Sequence, residues 1–204
     1  MRDPKNIRKL IRLKPDFIGF ILYPESKRFV GEAYRLDVEI PASIHRVGVF
    51  VNALLSDIVH WVNLLGLDYV QLHGDEPVTY CSELADMDIR VIKAFGIHED
   101  FNFDSILPYL PYCEFVLFDT KSPAHGGTGN KFDWNILDRY SSDKPLFLSG
   151  GIGPEDTRII RELEKKIPLY AVDINSRFEV SPGMKNIKLL KPFFSTIRNK
   201  KFLK

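Results

Sequence analysis

PLFLSGGIGPED, residues 145–156, contains a complete strand-to-helix junction. A short apolar run ends in Ser149-Gly150-Gly151, and Pro154 with the acids Glu155 and Asp156 opens a helix. Proline suits the first helical position because its φ is already set, and carboxylates suit the positive end of the helix dipole. Ile159, Ile160, Leu163 and Ile167 then follow at the spacing of one apolar helix face. Similar runs lie on either side: FIGFILY (17–23), HRVGVFV (45–51), YVQLHG (69–74), VIKAFG (91–96), FVLFDT (115–120) and LYAVDIN (169–175). Most are apolar on both alternating faces, as parallel strands covered by helices must be. Their starts lie about 25 residues apart, room for one strand, one short helix and tight loops.

The intervening stretches read as helices. SDIVHWVNLLG (56–66) carries apolar residues at 58, 59, 61, 62, 64 and 65 and ends on Gly66, a natural C′ residue. The chain opens with a helix capped by Asp3, with Pro4 at its first position and Ile7, Leu10 and Ile11 facing inward. The last helix, from about Asn186, contains Pro192, which predicts a kink or two segments.

Repeated βα units form either a doubly wound sheet or a closed barrel. The strand ends favour the barrel. Tyr23, Asn52, His73-Gly74, Lys93, Asp119, Ser149-Gly150-Gly151 and Asp173 each end a run, and seven polar strand ends imply one shared mouth. No Rossmann fingerprint is present. The expected fold is therefore α/β, a TIM (βα)₈ barrel in one domain over 1–204. Seven strands are visible and the chain opens with a helix, so an eighth strand, the first of the barrel, is expected ahead of Met1.

Composition narrows the function classes. Among 204 residues, 28 Lys and Arg balance 27 Asp and Glu, for a net charge of +1. That balance gives no electrostatic reason to expect a nucleic acid or anionic membrane as partner. Basic clusters at the two ends sit in amphipathic patterns and read as solvated helix faces. Cys81 and Cys113 show neither disulfide nor metal spacing, and the five histidines no metal spacing either, so no metal is expected. The charged start is no signal peptide and no apolar run reaches spanning length, so a cytoplasmic protein is expected. A monomer and a homodimer fit equally.

Several residues carry possible chemistry. LSGGIGPED (148–156) and VDINSRFEVSPG (172–183) are turns after late strands, whose backbone N–H groups suit a phosphate. Gly150, Gly151, Asp173, Asn175 and Ser176 are the candidate phosphate residues, although glycine is also the default residue of any turn. Asp119 ends an apolar strand, where desolvation disfavours the charged form and suits a general acid; a capping or salt-bridged role also fits. Gly126-Gly127-Thr128-Gly129 lacks the Lys-Ser/Thr of a Walker loop and suits a lid over substrate, or a plain flexible loop. Arg28 could grip a carboxylate bidentately or merely be solvated. His73 suits ligand contact or a structural role, and Lys93, at a strand end, suits substrate contact.

DPKNI, VGVFVN, VQLHGDE, FDT, HGGTGNKFDW, LSGGIGPED and VDINSRFEVSPGMKN, in that order along nearly the whole chain, together resemble phosphoribosylanthranilate isomerases. VQLHG, GGTG-x-x-FDW and LSGGI carry most of the specificity. The resemblance implies a cofactor-free Amadori rearrangement of a phosphoribosyl substrate in tryptophan biosynthesis. It makes Asp119 the general acid, Arg28 the holder of the anthranilate carboxylate, and the late glycine loops the phosphate site. The family's general base is a cysteine on a first strand of the type K-x-C-G, directly before the segment with which this sequence opens. The resemblance thus implies impaired activity for the chain as written, with a non-catalytic or vestigial phosphoribosyl-binding barrel as the alternative. Ser176-Arg177-Phe178-Glu179 stands where the family reads S-G-V-E, which predicts an unusual backbone at Arg177 or a rearranged loop.

Overall fold

The computed structural model describes residues 1–120 and 131–198. Seven strands form one curled sheet in sequence order: β1 (Phe17–Ile21), β2 (His45–Phe50), β3 (Tyr69–Leu72), β4 (Val91–Ile97), β5 (Phe115–Thr120), β6 (Leu146–Leu148) and β7 (Leu169–Val172). Every neighbouring pair is parallel. Helices α1 (Pro4–Ile11), α2 (Leu55–Leu65), α3 (Val78–Asp86), α4 (Thr157–Leu163) and α5 (Ile187–Arg198) cover it, and a small hairpin, β8 (Glu179–Ser181) with β9 (Met184–Lys185), follows β7. After β4 and β5 the chain uses 3₁₀ segments, Phe103–Tyr112 and Trp134–Arg139, instead of α-helices. Pro108 and Pro111 explain the first of these, since each removes a helical N–H donor.

The curl is set from inside. Val47, Tyr69, Ile92, Ala94, Phe115, Leu117 and Phe147 form an apolar cluster on the concave face, with Phe17 and Ala171 packed against it. The Phe17 ring on β1 lies 5.0 Å from Phe147 on β6 and 6.2 Å from Tyr170 on β7. The first and last strands therefore approach one another through side chains, although no ladder joins them among the described residues. A larger core between sheet and helices is built on Ile7, Phe20, Phe50, Leu72, Phe118, Phe178 and Phe193.

Helix ends follow the sequence reading in two places. The Asp3 carboxylate accepts the Asn6 N–H at 2.6 Å with Pro4 in the first turn. Gly66 takes the left-handed conformation, φ 57°, that closes α2. One expectation changes, and at two other places one of two alternatives drops out. Ile159 is 47% exposed, because Ile160, Leu163 and Ile167 already fill the narrow stripe that faces the core. The 187–198 helix runs through Pro192 as one element. Arg177 sits in a short 3₁₀ turn, Ser176–Phe178, and is not among the positive-φ residues. The turn holds Arg177 without left-handed strain, and Arg177 pairs with Glu155 at 2.7 Å.

Asn6 ties the opening helix to the end of the chain. Its amide nitrogen donates to the Lys185 carbonyl at 2.9 Å, and its oxygen accepts the Lys185 N–H at 2.8 Å. It is buried, so truncation strands two backbone groups away from water. Asn6→Ala is expected to lower unfolding free energy by about 1–3 kcal/mol in chemical denaturation; an unchanged midpoint would show that water replaces both bonds.

Candidate active site

The C-terminal ends of the strands converge on a cavity of about 1090 Å³. Tyr23, Arg28, Gln71, His73, Asp119, Ser149, Gly150, Gly151, Asp173, Asn175 and Ser176 line it, together with the edges of β1 and β7. The shared mouth expected from the polar strand ends is therefore present, with two exceptions. Asn52 and Lys93 do not line it. The Lys93 ammonium is buried and donates to the Gly74 carbonyl at 2.7 Å and to Glu76 at 2.9 Å. Glu76 in turn accepts the N–H groups of Asn52 and Gly74. Lys93 is committed to holding the loop after β3, because a buried ammonium needs its charge and donors satisfied on the spot.

Asp119 lies at the inner end of β5, 7% exposed. One carboxylate oxygen accepts the Thr120 N–H at 2.8 Å, and the other faces the His73 Nε2 at 3.2 Å. The His73 Nδ1 in turn lies 2.8 Å from the amide nitrogen of Gln71. Gln71 escaped the sequence reading, yet strand alternation places residues 71 and 73 on the same face.

Gly150 and Gly151 both have positive φ, 93° and 63°. A Cβ at Gly150 would lie 2.3 Å from the Thr120 Oγ1 and 3.1 Å from an Asp119 oxygen. Only glycine lets the turn after β6 lie this close to the carboxylate. Gly126, Gly127, Thr128 and Gly129 lie outside the described residues.

At the other side of the mouth Arg28 is already engaged. Its Nε donates to both Glu179 oxygens, at 3.1 and 2.9 Å, and an Nη lies 2.8 Å from Glu179. The buried Lys185 ammonium donates to the Ile174 carbonyl and to Asn175, and lies 3.6 Å from Glu179. Burial pushes the Lys185 pKa down, against the pull of Glu179 and Asp173. Burial likewise pushes Asp173 up, and the nearby Asp119 charge adds to it, while Lys185, His73 and Ser149 oppose. For Glu179, burial alone would raise the pKa, but the Arg28 hydrogen bond and the charges of Lys185 and Arg28 outweigh it, and the net shift is downward. Glu179 and Lys185 carried no local signal in the sequence, since their roles arise only when the hairpin folds back onto β1.

Among the described residues, no group of three or more His, Cys, Asp or Glu could hold a metal ion. Nor is any helix there long and apolar enough to cross a membrane. Cys81 and Cys113 are buried free thiols outside the cavity lining.

A curled parallel α/β sheet, with an acid, an imidazole and a glycine-rich turn gathered at the carboxyl ends of its strands, defines a candidate α/β enzyme site. The family model for N-(5′-phosphoribosyl)anthranilate (PRA) isomerase matches residues 1–196. The isomerase of that name from Parabacteroides distasonis is 41% identical over 202 residues, covering 97% of this chain and 90% of the relative. The crystal structure of the isomerase from Thermotoga maritima is 36% identical with a TM-score of 0.81, over 97% of this chain and 95% of that one. Another crystal structure of such an isomerase, in complex with reduced 1-(o-carboxyphenylamino)-1-deoxyribulose 5-phosphate, is 33% identical with a TM-score of 0.77, over the same shares. The chain belongs to the phosphoribosylanthranilate isomerase family.

Glu179 makes the site's electrostatics testable. Its folded pKa is depressed, so it adds stability above the unfolded value of about 4.3 and loses it as pH falls through the folded value. The stability gap between wild type and Glu179→Gln is expected to be widest near neutral pH and to close below about pH 4. A gap independent of pH, measured by denaturation across that range, would contradict the ion pair.

Proposed function

We propose that this site isomerises N-(5′-phosphoribosyl)anthranilate to 1-(2-carboxyphenylamino)-1-deoxyribulose 5-phosphate, with Asp119 as general acid. The observation that carries the reading is the Asp119 carboxyl, buried, fixed at both oxygens and facing the cavity beside the Gly150-Gly151 turn. In the proposed reaction Asp119 gives its proton to the ribose ring oxygen. The C1′–O bond breaks with its electron pair going to that oxygen, and the anilino nitrogen forms a Schiff base. A base then takes the C2′ proton, and the resulting enolamine tautomerises to the ketone. Oxidation at C2′ balances reduction at C1′, so the reaction needs no external redox partner.

Gly150, Gly151 and Ser176 are assigned to the phosphate, with Asn175 beside them. Asp173 fits that dianion poorly, being itself a carboxyl, and its place near His73 and Asp119 suits the sugar hydroxyls better. Arg28, held edge-on by Glu179, is assigned to the anthranilate carboxylate through its remaining N–H groups. The outer edges of β1 and β7, lining one cavity, suit one further parallel strand that would complete a (βα)₈ barrel. The family resemblance places the cysteine base on such a strand.

Substrate fluorescence lost during turnover tests this, on the chain alone and with a K-x-C-G strand joined ahead of Met1. The joined form is expected to be faster by roughly 10²–10⁴-fold, and Asp119→Asn to lower its kcat by a similar factor with KM changed only a few-fold. Asp119→Asn at the wild-type rate would overturn the assignment of the acid.

A further inference from the structure

We infer that Gln71 and His73 form a positioning relay for Asp119, with His73 held as the neutral Nε2–H tautomer. The inference rests on Asp119 being the reacting acid and extends that reading to two residues behind it. An amide nitrogen has no lone pair to offer, so at 2.8 Å the Gln71 nitrogen donates to the His73 Nδ1. An Nδ1 that accepts cannot carry the proton. The ring proton therefore sits on Nε2, which faces an Asp119 oxygen at 3.2 Å and donates to it.

The arrangement makes His73 something other than a ligand for the substrate. Both of its ring nitrogens are taken by protein groups, and its side chain is only 13% exposed. Gln71 is itself buried, at 6% exposure, which keeps water from competing for its bond to the ring. With the Thr120 N–H on one oxygen and the His73 N–H on the other, the plane of the Asp119 carboxyl is fixed towards the cavity. When Asp119 releases its proton to the ring oxygen, a donor already stands at the carboxylate that forms. No reorganisation is needed at that moment, the condition under which a hydrogen bond lowers a barrier most. His73 exchanges no proton in the step; it acts through Asp119.

Two measurements decide the matter. In ¹⁵N NMR of the uncomplexed protein near neutral pH, with the His73 signals assigned by their loss in His73→Gln, Nδ1 is expected at the unprotonated position and Nε2 at the protonated one. A proton on Nδ1 would overturn the relay, whatever the activity of the protein. In kinetics on the strand-joined form, His73→Leu is expected to lower kcat roughly 10- to 100-fold, the usual worth of a hydrogen bond to a charged group, with KM within about threefold. His73→Gln, whose amide nitrogen reaches nearly as far as Nε2, is expected to recover most of that loss. Equal damage by Leu and Gln, or a loss confined to KM, would contradict a positioning role. Absence of turnover in the wild type would count against the isomerase reading instead, and the tautomer measurement would still decide this one.

Discussion

The packing of Phe17 across the interior onto Phe147 and Tyr170 holds the two ends of the sheet close, with no strand ladder joining them among the described residues. A parallel sheet twists as it grows, and the concave cluster of Tyr69, Phe115, Leu117 and Phe147 turns that twist into a curl. Because the floor is filled with aromatic rings, the polar groups of the candidate site gather at the opposite, C-terminal end of the strands. Asp119, His73 and the Gly150-Gly151 turn meet there as a consequence of the curl. None of them is near another in sequence.

Two buried charge networks then stiffen the mouth from opposite sides. Lys93 and Glu76 hold the loop after β3, whose first residue is His73. Arg28, Glu179 and Lys185 hold the hairpin after β7 against the loop that follows β1. In each case the charge is withdrawn from water and matched within the protein, which fixes geometry more than it adds stability. The Asp119 carboxyl bonds to neither network; its partners are His73 and the Thr120 N–H of its own strand.

Much of this was legible in the sequence, because the strands are apolar runs with punctuated ends and the βα rhythm is regular. Asp3, Pro4 and Gly66 announced helix ends through local chemistry alone. Asp119 and the Gly150-Gly151 turn were legible because a carboxyl or a glycine pair is out of place at the end of an apolar strand. Lys93 was misread for the same reason: its strand-end position looked like substrate contact, but Glu76, seventeen residues earlier, claims it. Gln71 was hidden inside an apolar run and gains meaning only from its neighbour across one pleat. Glu179 and Lys185 act through a fold-back onto Arg28, a relation that no spacing rule describes.

Reduced 1-(o-carboxyphenylamino)-1-deoxyribulose 5-phosphate soaked into crystals of this protein would show where the cavity holds each end of such a ligand. The phosphate is expected on the N–H groups of Gly150, Gly151 and Ser176, the carboxylate at Arg28, and the sugar oxygens within hydrogen-bond reach of Asp119. A ligand seated elsewhere, or seated in the cavity with its phosphate away from the Gly150-Gly151 turn, would contradict it.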